Sequence, residues 1–102
     1  MLNSEYGLSF SALDLLMRLV REDRAIRGKI TTLSEPLWLH RSGYPAAAVQ
    51  ITDVRELVQH KLIEFSAACP QRGEELYKPS KAGIRAAGPE AVAHARASAT
   101  IY

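Results

Sequence analysis

The sequence predicts a mainly α domain carrying one small β-hairpin, in the α+β class. Three observations support this. Apolar residues recur at helical spacing in "SFSALDLLMRLVRED" and again in "AAAVQITDVRELVQHK". Farther on, "LIEFSAACPQRGEELYKPS" holds two strand-like runs, Leu62 to Phe65 and Leu76 to Lys78, with the proline and glycine of a hairpin tip between them. Breakers at Gly28, Gly43, Pro45 and Gly88-Pro89 divide the rest of the chain into short units.

A chain of 102 residues, 47% of them hydrophobic, is long enough for one domain with a modest core and too apolar to stay unfolded. The net charge of +2 permits a nucleic-acid partner without demanding one, and runs of like charge are absent. A lone cysteine, Cys69, cannot form an intrachain disulfide, which favours a reducing compartment. The longest apolar tract, Ala12 to Val20, is interrupted by Asp14 and Arg18, so no membrane span is expected. The start "MLNSEYGL" lacks the basic-then-apolar layout of a secretion signal. Together these features read as a soluble cytoplasmic protein.

Each element has a local reason. The first helix begins at Ser11, with Asp14 three residues on as a capping box, or at Ser9. Phe10, Leu13, Met17 and Val20 form its stripe and Leu16 widens it, while Leu15 and Leu19 reach a second neighbour. The basic run from Arg18 to Lys29 reads as a solvated helix end closed by Gly28. Ile30 to Thr32 favours a short extended segment. Ser34 then caps a second helix with Pro36 in its first turn, where a missing N–H does no harm, and Leu33, Leu37 and Trp38 face the core. Gly43 ends it and Tyr44-Pro45 turns the chain into a third helix over about 46–60. Ala47, Ile51, Val54, Val58 and Leu62 mark that helix's inner face. After the hairpin, Pro79 stops the second strand and Ser80 caps a helix through Ala87. The alanine-rich stretch 89–102 reads as a helical tail, separate from a domain over 1–88.

Helix, short strand, helix, tight turn, helix and hairpin is an order that resembles the winged helix-turn-helix superfamily from about Ser9 to Ala87. "SGYPAAAVQITDVRELVQHKLIEF" looks like its turn, recognition helix and first wing strand. "LYKPSKAGIRAA" is similar to the strand-to-helix step of MarR- and PadR-like regulators, with Tyr77, Ser80 and Gly83 where Tyr, Thr and Gly are common and Pro79 where leucine is. The resemblance implies a three-helix core plus wing and C-terminal helix. It also implies a sequence-specific transcriptional regulator, which binds double-stranded DNA and forms a homodimer. The 46–60 helix would then enter the major groove and the 65–78 hairpin would act as the wing. Under that implication Gln50 offers an amide fork to adenine, and Ala46 and Ala48 permit close approach to a thymine methyl. Thr52 lies on the same helix. Arg55 and Gln59 suit phosphates, Arg41 and Tyr44 flank the turn, and Arg72 and Lys78 are the wing contacts.

Asp53 and Glu56 stand against this, because carboxylates on the outward face of such a helix repel phosphate. With Val49 they fit better a second reading, a protein–protein adaptor of the same fold that does not bind DNA. His40, His60 and His94 are far apart and without ligand-spaced partners, so no metal is expected. Neither a glycine-rich phosphate loop nor a nucleophile motif is present, so no enzyme and no cofactor are expected.

Overall fold

Strands, rather than a bundle of helices, organise this chain. The computed structural model describes residues 7–69 and 73–88. Along the chain run α1 (Phe10–Arg21), β1 (Ala25–Lys29), β2 (Ser34–His40), β3 (Ala47–Val49), α2 (Ile51–Gln59), β4 (Ile63–Cys69), β5 (Glu74–Pro79) and α3 (Lys81–Ala87). The five strands form one sheet in the order β3-β2-β1-β5-β4, antiparallel at every neighbour.

This overturns the expected fold class. A three-helix core with a small hairpin, and with it the winged helix-turn-helix architecture, does not describe a domain built on a five-stranded antiparallel sheet. The expected second helix is β2. Leu37 and Leu39 are both buried with Trp38 between them on the other side, a period of two that suits a strand. Of the basic run expected at a helix end, Arg18 and Arg21 do lie in the last turn of α1, whereas Arg27 and Lys29 belong to β1. Ala25 and Ile26 are buried there, and Arg27 pairs across the ladder with Trp38. The third helix also starts late. Pro45 and the β-branched Val49 keep the chain extended, Ala47–Val49 pairs with Leu37–Leu39, and α2 begins only at Ile51 with Gln50 as N-cap. The hairpin tip at 70–72, with Arg72, and the tail at 89–102 lie outside the described residues.

Register sorts the sheet into two faces. Ile26 pairs with Leu39 and with Tyr77, and Leu37 with Val49, so these side chains share the face that the helices cover. Arg27, Trp38, Ala48 and Leu76 alternate with them and point to the opposite face. One core cluster joins Leu16 and Leu19 of α1, Val54 and Leu57 of α2, and Ile26, Leu37, Leu39 and Ile63 of the sheet. Each of these side chains contributes roughly 1.5–3 kcal/mol by leaving water. The buried stripe of α1 is Ala12, Leu15, Leu16, Leu19 and Val20, rotated from the expected one, and it leaves Phe10 68% exposed.

The junction "KPSKAG" fixes α3 to the body. Ser80 donates its N–H to the Leu62 carbonyl and its hydroxyl to the Lys61 carbonyl, while Oγ accepts the Gly83 N–H as an N-cap. Gly83 lies so close to the chain at Leu62 that a Cβ there would run into the Leu62 carbonyl and crowd Leu16. Gly83→Ala is therefore expected to destabilise the domain by about 1–3 kcal/mol through overpacking, read as a lower denaturation midpoint at unchanged m-value.

Candidate functional site

The orientation of α2 is set by what it buries. Val54 and Leu57 go into the core and Ile51 and Val58 are half-buried, which turns Thr52, Arg55 and Gln59 to solvent on one side of the helix. The two carboxylates take a third direction, toward the start of α1. Glu56 accepts the Ser9 N–H at 3.0 Å through Oε2 and the Ser9 hydroxyl at 2.9 Å through Oε1. Asp53 Oδ1 accepts the Ser11 hydroxyl at 2.6 Å. Ser9 is also the N-cap of α1, its Oγ accepting the Ala12 N–H at 3.3 Å.

The physical reason is the open end of α1. No acidic residue lies in its first turn, so its unpaired N–H groups and positive dipole end lack a local counter-charge. Glu56 supplies from a neighbouring helix what the acid of a capping box supplies within one. These contacts hold the Glu56 carboxyl below its ordinary range: the Ser9 N–H is the largest cause and its hydroxyl the next, burial opposes them, and His60 adds a lesser favourable charge. Expected on the outward face of the helix, Asp53 and Glu56 are instead spent on the α1–α2 junction.

The remaining predicted residues are distributed as follows. Gln50 is the exposed N-cap of α2, and its side chain makes no capping bond. Together with Thr52, Arg55 and Gln59 it occupies a single short segment. Ala46 and Ala48 precede this helix, Ala46 in the loop and Ala48 on the edge strand β3 facing the same way as Trp38. Lys78 is exposed opposite Glu64, on the sheet face turned away from the helices, so the sheet separates it from the α2 row.

Arg41 and Tyr44 meet. A turn closed by the Tyr44 N–H on the Arg41 carbonyl, with Gly43 at φ 84°, brings the Arg41 guanidinium to 4.6 Å from the centre of the Tyr44 ring. Sequence reasoning missed Arg24, which approaches the same ring at 5.8 Å from the α1–β1 turn. It also missed Arg27, which lies 5.9 Å from the centre of the Trp38 ring, pairs with Glu74 at 3.4 Å and contacts His40 Nδ1 at 3.3 Å. The available signal was slight: the apolar pair Ala25-Ile26 stands between Arg24 and Arg27, without the strict alternation of a half-buried strand. On the sheet, Thr31 donates its N–H and hydroxyl to Glu75, which lowers that carboxyl's pKa, the N–H first. Among the described residues no three His, Cys, Asp or Glu side chains gather as a metal site, and no helix is long and apolar enough to cross a membrane.

Carboxyl titration checks these contacts. Both Glu56 and Glu75 are depressed below 4.5, so their stabilising contribution is complete above that pH and is lost as pH falls through the lower folded values. In Ser9→Ala the Glu56 carboxyl is expected to titrate higher than in the parent yet still below its ordinary value, since the larger contributor, the backbone N–H, remains. Carboxyl NMR titration reads this, and an unmoved Glu56 would deny the contact. No family model, no curated protein and no solved structure matches this chain.

Proposed function

We propose that this domain binds double-stranded DNA through the outward side of α2, as a small DNA-binding regulator. The observation that carries the reading is the fate of the two carboxylates. With Asp53 and Glu56 held by Ser11 and Ser9, the solvent side of α2 carries Thr52, Arg55 and Gln59. Among the described residues no carboxylate pairs with Arg55. Spacings of three and four residues set these side chains in one row. A guanidinium flanked by a hydroxyl and an amide suits phosphate and base edges. Gln50 stands at the helix start, the end that approaches base edges when a helix enters the major groove, with both prongs of its amide uncommitted to the cap.

The geometry differs from a helix-turn-helix in what stands before the reading helix. An edge strand, β3, leads into α2, so α2 would dock alone, without a preceding helix across the backbone. At nine residues it spans roughly 13 Å, about the width of the major groove.

A second reading, a protein-binding adaptor, has a different basis from the one expected. The acidic pair is turned onto the start of α1 and is only half-covered there, whereas Phe65 is 55% and Ile84 41% exposed. Fluorescence anisotropy with a labelled duplex of mixed sequence separates the two. DNA binding should weaken steeply with rising salt, and Arg55→Ala should lower affinity on every sequence. Gln50→Ala should instead relax discrimination at one base position, by about 1–3 kcal/mol. Absence of duplex binding even at low salt would favour the adaptor.

A further inference from the structure

Three guanidiniums gather where α1 ends and β2 turns toward β3, around a single carboxylate. Glu22 accepts from Arg24 at 2.8 Å and lies 3.6 Å from Arg18, and its main-chain carbonyl accepts the Arg41 guanidinium at 3.0 Å. Among the described residues, Arg41 has no carboxylate partner, and Asp23 next in sequence is exposed and forms no ion pair. Arg24 is mostly covered, with 16% of its side chain exposed, whereas Tyr44 is 49% exposed. The ring of Tyr44 therefore stands at the surface, with Arg24 and Arg41 both close to it.

Placing cations together is unfavourable unless a counter-charge answers them. Here the protein answers with one shared carboxylate and a carbonyl. The Arg41 guanidinium has five N–H donors in one plane, and a single bond to the Glu22 carbonyl anchors one nitrogen without using up the rest. Contact with the ring limits its swing further. This leaves a half-buried guanidinium with donors to spare against the surface ring of Tyr44, whose phenol adds a hydroxyl, a donor set that fits an oxyanion with several acceptor oxygens.

We propose that the Arg24–Tyr44–Arg41 cluster is a second nucleic-acid contact, directed at the phosphodiester backbone. Arg41 and the Tyr44 hydroxyl touch the phosphate, and Arg24 is a positioning residue that supports the ring. This inference rests on the reading of α2 as a DNA-binding helix, and it adds a sequence-independent clamp from a separate part of the chain.

The test is the slope of log affinity against log salt for duplex DNA, measured on the full chain. Each phosphate contact contributes about 0.9 to that slope. Arg41→Ala should therefore flatten it by about one unit, a roughly tenfold loss at about 0.1 M salt, equal on all sequences. Arg41→Lys should keep most of the slope, since the charge remains. Tyr44→Phe, which retains the ring, should weaken binding less than Tyr44→Ala. Thermal melting of each variant separates loss of contact from loss of fold. An Arg41→Ala protein that melts earlier yet keeps the parental slope would overturn the clamp and leave a cluster that only braces the turn. If the parent protein shows no salt-dependent binding at all, the α2 reading fails with it. If Arg55→Ala weakens binding while Arg41→Ala changes nothing, the clamp alone fails.

Discussion

How α2 is rotated about its own axis is the constraint on which the rest of the domain's surface depends. Two effects set it, and their sizes differ. Burial of Val54 and Leu57 contributes roughly 1.5–3 kcal/mol each, and this decides the phase of the helix. The serine–carboxylate bonds are charge-assisted but solvent-accessible, and screening by water makes them the smaller effect. Hydrophobic burial thus chooses the rotation, and Ser9 and Ser11 fix what the acidic edge of the helix does once it has been chosen. The consequence is chemical. Charges that would oppose an anionic partner become the counter-charge of a helix N-terminus.

The sheet gives this arrangement its frame. β3 is short, pairs with β2 and passes directly into α2, so the start of the helix is tied to the ladder through Val49 and Leu37. At its other end, Leu62 leaves α2 for β4 and receives the Ser80 N–H, so that α3, α2 and the sheet are joined within a few residues. Gly83 marks how close that joint is. The opposite sheet face carries Arg27 against Trp38 and, at 3.4 Å, Glu74, an ion pair whose Nε and Oε1 are buried without a hydrogen-bond partner.

Local signals in the sequence were dependable where one element carried its own reason. Ser80 before Lys81, the run of leucines in α1, and the Ile51-to-Val58 pattern of α2 each produced an element close to where its pattern pointed. The error lay between Arg24 and Val49. There the strands depend on partners distant in sequence: Arg27 on Trp38 and Leu76, Leu37 on Val49. Ser34 followed by Pro36 mimics a helix start, and the alternation Leu37-Trp38-Leu39 is too short to outweigh it unaided. The candidate site was legible to the same degree. Gln50, Thr52, Arg55 and Gln59 are exposed, because helical phase fixes exposure. Neither the turn of Asp53 and Glu56 toward the start of α1 nor the meeting of Arg24 with Tyr44 was legible. Both join residues that only the folded chain makes neighbours.

Backbone amide NMR of the isotopically labelled protein, titrated with a short duplex at low salt, maps where DNA meets the domain. Binding through α2 should concentrate the shifts at Gln50 to Gln59 and around Arg41 to Tyr44, while Phe65 and Ile84 stay in place. Shifts centred on Phe65 and Ile84, or a spectrum unchanged at saturating DNA, would contradict it.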